Sequence, residues 1–198
     1  MKQPLARDAS SLPTYSFGAA SGPWWGAIGF IALEGMGFAL AVGAYLYLMA
    51  TNERWPLDSP PNIWIGSAMT LLLVLSVIPN HVTNNVAHRL ELARVRILLV
   101  VMSLIGTAAL VIRGFEFAYL NTRWDTDAYG SIVWFILGLH TVHLATDLGD
   151  TIVLTVLMFT RHAQPRRFSD VTDNCFYWNF VVLAWLPLYF VLYWIPRL

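Results

Sequence analysis

Five long apolar runs constrain this chain more than any other feature. A helix needs about 20 mostly apolar residues to cross the hydrocarbon core of a bilayer. Five segments meet that requirement: Trp24 to Ala50, Ile63 to Val82, Leu90 to Tyr119, Tyr129 to Thr160 and Cys175 to Ile195. Lipid offers no partner for a backbone N–H or C=O, so such runs must be helical. The expected fold is an all-α integral membrane protein, a five-transmembrane-helix bundle. Residues 1–23 would form a cytoplasmic N-terminal segment and residues 24–198 the transmembrane domain. Composition agrees: 57% of the 198 residues are hydrophobic and 12% are charged, against about 25% charged in a soluble domain. The formal net charge is zero, which leaves no basic excess for nucleic acid. Cys175 is the one cysteine, so an internal disulfide and a multi-cysteine metal centre are excluded. The first apolar run is too long for a cleavable signal.

The connections are short and carry breakers: Pro56, Pro60 and Pro61 in the first, Asn84 and Asn85 in the second, Pro165 in the fourth. Short loops imply that successive helices are antiparallel neighbours. Pro79 and Pro187 should kink or end the second and fifth helices. The third and fourth runs exceed what a bilayer needs, so they must tilt or protrude. Arg94 and Arg96 favour protrusion of the third, their side chains snorkelling to water. Lys2, Arg7, Arg89, Arg94, Arg96, Arg161, Arg166 and Arg167 fall on the side of the N-terminus, and only Arg54, Arg123 and Arg197 on the other. By the positive-inside rule the N-terminus is cytoplasmic and the C-terminus periplasmic.

Ionisable residues inside such runs need a partner or a role, because each costs roughly 2.5–3.5 kcal/mol even on insertion scales. Glu34 lies in the first run among Gly35, Gly37 and Gly43, which would let a helix or lipid come close. It is either a carboxyl that exchanges protons or meets a lipid headgroup, or a protonated acid bonded between helices. Arg113 and Glu116 share a helix face and suit an intrahelical ion pair near the outer interface. His140, His143, Asp147 and Asp150 continue one stripe of the fourth run. Imidazole and carboxylate could hold copper, zinc or iron, yet a metal site in a bundle draws its ligands from several helices. Ordinary packing with bonds to carbonyls or carboxylates accounts for the same spacing, and no metal is assigned. His81, His88 and His162 sit near the cytoplasmic ends, in solvated or interfacial settings. Haem ligation would need histidines on facing helices, whereas His140 and His143, the histidines away from the run ends, share one.

Taken together, these segments resemble subunit III of the haem-copper cytochrome c and quinol oxidases. "YGSIVWFILGLHTVH", with Tyr129, Gly130 and Ser131, is similar to that family's Tyr-Gly-Ser, apolar run and Gly-x-His-x-x-His. "RGFEFAYL" with Glu116 resembles its Ser-Glu-Tyr-Tyr-type segment. "FYWNFVVLAWLPLYFVLYW", with Trp178, is similar to its closing helix, and "ALEGMGFALAVGAYLYL" to its Ser-Glu-x-x-Phe-Phe helix, which puts Glu34 on the intramembrane glutamate. Four motifs in order cover about residues 28 to 196. The departures are Asn179 in place of His, Val182 in place of Asp, Asn84 and Asn85 at a His pair, Asp147 at a Gly, and Arg89 at an acidic position. His143 and Asp147 could then form a local hydrogen-bonded pair.

The resemblance implies the five-helix bacterial type in the inner membrane. It would be an accessory subunit without redox chemistry, binding no cofactor of its own beyond phospholipid. Haem and copper would belong to partner subunits I and II. The chain would stabilise the catalytic subunit, hold lipids, and support oxygen reduction coupled to proton translocation. The residues leave two alternatives: a subunit-III-like component of a nitric oxide reductase, and an autonomous membrane metalloprotein using Glu34, Glu116, His140, His143 and Asp147.

Overall fold

The computed structural model describes residues 15–56, 59–161 and 163–198. The expected segment 1–23 therefore lies largely outside the described residues, as do Lys2, Arg7 and His162. Five helices are long and apolar enough to cross a membrane, and no strand occurs among the described residues. They are α1 (Gly22–Thr51), α2 (Ile63–His88), α3 (Leu92–Ala118), α4 (Ala128–Phe159) and α5 (Pro165–Tyr189). A π-helical turn (Phe190–Trp194) and a 3-10 turn (Ile195–Arg197) continue α5 to the C-terminus.

Local chemistry sets where these helices begin. Pro23 and Pro165 stand in the first turns of α1 and α5, where a missing N–H costs nothing. Asn62 caps α2 by accepting from the Trp64 N–H at 3.0 Å. Asp127 caps α4 by accepting from the Gly130 N–H at 2.7 Å. Ser131 ties the same corner down, its hydroxyl donating to the Trp124 carbonyl at 2.6 Å. Gly130 is required there: a Cβ would fall onto the Arg123 carbonyl.

Several boundaries differ from those expected. Asn84 and Asn85 are not in a loop, because α2 runs on to His88. Leu90 does not open α3. It is the turn residue after α2, at φ +57°, with the Glu91 N–H bonded back to the Val86 carbonyl. This is the left-handed helix stop usually assigned to glycine. α5 starts ten residues before Cys175 because Arg166 to Asn174, although polar, remain helical. Pro79 lies within α2 without ending it. Pro187 is followed within one turn by the π-helical segment, where the wider turn absorbs the lost bond.

All five helices exceed the roughly 20 residues a bilayer core requires. On α2, α3 and α5 the surplus is polar and lies on the side of the chain's N-terminus: Asn80 to His88, Arg94 with Arg96, and Arg166 to Asn174. Arg94 pairs with Glu91 at 2.9 Å in a water-facing position. Arg96 is half-buried. Its Nε donates to the Met158 carbonyl at 2.7 Å, serving one of the acceptors that the end of α4 leaves open.

Packing departs from simple sequential adjacency. α2 lies against α3 and α5, and α3 against α4, whereas α1 docks on α4 and α5 instead of on α2. α1 buries only Phe38, Ala41 and Tyr45, all in its second half. Its first half meets α4 and α5 through partly exposed side chains, Trp24 beside Phe176, Phe30 beside Tyr177 and Glu34 beside His143. Gly37 and Gly43 approach nothing within this chain, and a Cβ on Gly35 would meet only the Phe180 ring at 3.8 Å.

Because Leu90 carries a left-handed backbone that only glycine adopts freely, Leu90→Gly should stabilise the protein by about 1 kcal/mol. The readout is thermal unfolding in mild detergent. No gain would mean that the Leu90 side chain offsets the strain of its backbone.

Candidate functional site

The polar residues of the spans gather into two separate groups. The deeper group joins α3, α4 and the C-terminal turn. Arg113 Nη1 donates to Glu116 Oε2 at 2.6 Å, and Arg113 Nη2 meets His140 Nδ1 at 3.0 Å. Guanidinium only donates, so His140 Nδ1 must accept. The proton of this neutral imidazole is then on Nε2, which donates to the Val181 carbonyl of α5 at 3.1 Å. The Tyr193 hydroxyl donates to the other Glu116 oxygen. The guanidinium also lies 4.2 Å from the centre of the Trp185 ring, a cation–π contact. Arg113, Glu116, His140, Trp185 and Tyr193 are all at most 2% exposed. The expected ion pair is present, buried within the chain in the last turns of α3.

Glycine makes room for this arrangement. Gly66 of α2 faces the Tyr193 ring so closely that a Cβ would come within 2.6 Å of it. Trp185 is held from the same helix, its indole N–H donating to Thr70 Oγ1 at 2.8 Å. Trp178, one of the motif residues, ties α5 to α2 through Ser76 Oγ at 2.8 Å. Tyr129, Gly130 and Ser131 act at the start of α4. Tyr129 is fully buried, its ring 4.9 Å from that of Trp55 and perpendicular to it.

The second group faces a cleft between the first half of α1 and the facing parts of α4 and α5. Glu34 Oε2 accepts from the Tyr177 hydroxyl at 2.7 Å, and Glu34 Oε1 lies 3.2 Å from His143 Nε2. His143 Nδ1 is 2.6 Å from the Leu139 carbonyl. A carbonyl can only accept, so Nδ1 carries a proton. The contact between Nε2 and Glu34 therefore needs exactly one more, held either by the imidazole or by the carboxyl. In both forms the pair has no net charge, which suits a site with Phe38 packed 4.7 Å from the imidazole.

The expected bond between His143 and Asp147 is absent, because His143 turns to α1. Asp147 is 1% exposed and instead accepts from Asn174 of α5 at 3.3 Å. Asn174 in turn accepts from Thr151 at 3.1 Å. Asp150 is exposed on the cleft side, as are His81 and His88 toward their own surroundings. The five candidate metal ligands thus divide: Glu116 and His140 flank a guanidinium, while Glu34 and His143 face the cleft. Among the described residues no cluster of three or more His, Cys, Asp or Glu side chains has metal-binding spacing.

Sequence reasoning missed Tyr193, Trp185 and Tyr177, which complete the two groups. Each lies in a stretch where an aromatic residue reads as lipid-facing. The only signal was a tyrosine or tryptophan at a buried helical register opposite an acid, and that needs the packing to be known.

Two outcomes follow from these geometries. Arg113→Leu leaves Glu116 buried without its partner and should cost about 3–5 kcal/mol. The Arg113→Leu/Glu116→Leu double variant should cost much less than the sum of the two single changes, a coupling read from thermal unfolding; strict additivity would contradict the pairing. In the cleft, Glu34→Gln can still accept from Tyr177 and donate to neutral His143, so it should remain near wild-type stability. Glu34→Ala strips both partners and should lose about 1–3 kcal/mol; equal losses for the two would show that the charge, not the hydrogen bonding, matters.

No family model matches the chain. Curated proteins do. It is 26% identical over 174 residues to a Mycobacterium leprae protein named "Probable cytochrome c oxidase subunit 3", covering 86% of each chain. Proteins of the same name from Mycobacterium tuberculosis and Nocardia farcinica are 27% and 23% identical, again over 86% of both chains.

Proposed function

The chain belongs to the cytochrome c oxidase subunit III family, and from that premise we propose that it is the accessory subunit III of a bacterial terminal oxidase. It crosses the plasma membrane five times. In this reading its N-terminus is cytoplasmic, it packs beside subunit I together with subunit II, and it performs no redox step. The haem and copper belong to those partners. The observation that carries the proposal is the coincidence of relatives matched over most of both chains with a bundle in which buried Arg113, Glu116, His140 and Tyr193 bond to one another.

The arrangement suits a stabilising part. Arg113, Glu116, His140 and Tyr193 bind helix to helix and leave no open position for a reacting molecule. Glu34, Tyr177 and His143 instead border a space of about 700 Å³ lined by α1, α4 and α5. Its walls include Phe30, Val142, Val153 and Leu157, apolar enough for acyl chains. We assign this cleft to phospholipid held between the subunit and its neighbours. Lipid kept there would support the catalytic subunit through repeated turnover, and Glu34 would be the carboxyl closest to any proton-related role.

Purification of the tagged chain in mild detergent, followed by a reduced-minus-oxidised optical spectrum, tests the proposal. Oxidase-type haem bands and a larger co-purifying subunit are expected. Bands of a nitric oxide reductase would move the chain to that complex, and a colourless solitary chain would overturn the accessory reading.

A further inference from the structure

We propose that Asp147 is a proton-binding site inside α4, a neutral carboxylic acid that trades its proton with water through Asp150. The site lies at the contact of α4 with α5, and Asp147 is not among the residues that line the cleft. The proposal does not rest on the cleft being filled by lipid. It concerns a position at which this chain departs from the family pattern.

The surroundings of the carboxyl argue first for its neutrality. Asp147 is buried. One oxygen, Oδ1, accepts from the Asn174 amide at 3.3 Å, longer than the usual N–H···O contact of about 2.7–3.2 Å. The other, Oδ2, is sealed from solvent and has no hydrogen-bond partner. None of the ion pairs among the described residues includes Asp147. The titratable groups around it bring no free cation. Asp150 and His143 lie on its own helix, and His143 is turned to Glu34. Cys175 and Tyr177 of α5 are close enough to feel its charge, and Glu34 of α1 is held beyond Tyr177. Glu116 is equally buried, but Arg113 stands 2.6 Å from it. A carboxyl buried without such a partner takes up a proton instead.

The neighbouring residues then argue for exchange. Thr151 donates to Asn174 Oδ1 at 3.1 Å, which keeps the amide nitrogen of Asn174 aimed at Asp147. Asp147 Oδ1 is thereby the acceptor, and Oδ2 is the oxygen left to carry the proton. Asp150 follows Asp147 by three positions, so the two carboxyls share a helix face. Asp150 is exposed where Asp147 is sealed, and it lines the cavity together with Arg167, Asp170 and Asp173, a setting polar enough to keep water. A proton on the Asp150 carboxyl passes to Asp147 Oδ2 and leaves Asp150 ionised, free to take another from water. The reverse transfer empties the site. One acid thus stores the proton and the other admits it.

The test uses the full chain in the complex with which it purifies, as wild type and as Asp147→Asn, Asp147→Glu and Asp150→Asn. Infrared difference spectra between wild type and each variant isolate the carbonyl stretch of a protonated carboxyl, and transfer into heavy water times its exchange. Wild type should show a protonated carboxyl that Asp147→Asn lacks and that Asp147→Glu restores at a shifted position. Where the asparagine variant does not assemble, the shift in Asp147→Glu assigns the band by itself. Heavy water should move the wild-type band promptly. Asp150→Asn should slow that movement by about a hundredfold, the lower end of what a positioned proton-transfer group supplies. If wild type has no protonated carboxyl beyond those of Asp147→Asn, Asp147 is ionised and the proposal fails. Exchange at the same rate with and without the Asp150 carboxyl would overturn it as well, because Asp147 would then be a structural acid with no route through its neighbour.

Discussion

The ion pair between Arg113 and Glu116 is the interaction on which the rest of the bundle depends. A guanidinium sealed from solvent is tolerable only if its charge and donors are met, and breaking such a pair costs far more than forming it gains. Here a carboxylate, an imidazole nitrogen and the face of a tryptophan meet it, while the buried Nε has no hydrogen-bond partner. Each partner comes with its own tether. His140 passes the network to the Val181 carbonyl of α5, and Glu116 passes it to Tyr193 in the C-terminal turn. Helices α3, α4 and α5 can therefore assume one register relative to one another, because any slip would strand a charge in a low-dielectric interior. Lipid provides little hydrophobic drive between helices, so this polar knot supplies specificity that apolar packing alone would not.

The π-helical turn is the local adjustment that lets α5 take part. Pro187 cannot donate to the carbonyl one turn before it, and the wider turn at Phe190–Trp194 follows directly. Tyr193 lies inside that turn. Its ring faces Gly66 of α2, which lacks the Cβ that would collide with it, while its hydroxyl reaches Glu116. Beyond it, Arg197 donates to the Tyr193 and Pro61 carbonyls, so the end of the chain is fastened to the segment before α2. Proline, π-turn and glycine thus combine to seat one phenol against one carboxylate.

Much of this was legible in the sequence, for physical reasons that differ by feature. Five helices follow from apolar length alone, because a bilayer permits no alternative for the backbone. The spacing of Arg113 and Glu116 announced a pair, since residues three apart share a helix face. The partner of His143 was not legible. Asp147 is its neighbour along α4, but Glu34 is nearer in space, and only the docking of α1 onto α4 decides between them. The extent of α5 was also hidden, because Arg166 to Asn174 are polar enough to read as a loop although helix propensity does not require burial. Leu90 gave no turn signal, since a leucine in a left-handed stop carries none of glycine's meaning.

The departure of α1 from sequential packing explains why one polar group is closed and the other open. α1 buries only Phe38, Ala41 and Tyr45, while its first half meets α4 and α5 through side chains that stay partly exposed, Glu34, Phe30 and Trp24. Glu34 lies one helical turn before Phe38, at the point where the helices part. Its carboxyl is bonded across the vertex to Tyr177 and His143, which holds the cleft at a fixed opening. The cleft walls are mostly apolar, with Phe30, Val142, Val153 and Leu157 among them, and Asp150, Asp170, Asp173 and Arg167 line it as well. A cavity built this way has a closed polar vertex and greasy sides. Its shape is set by the same constraint as the buried knot: in a bilayer every charge must find a partner, and where the chain does not supply one, the surrounding lipid must.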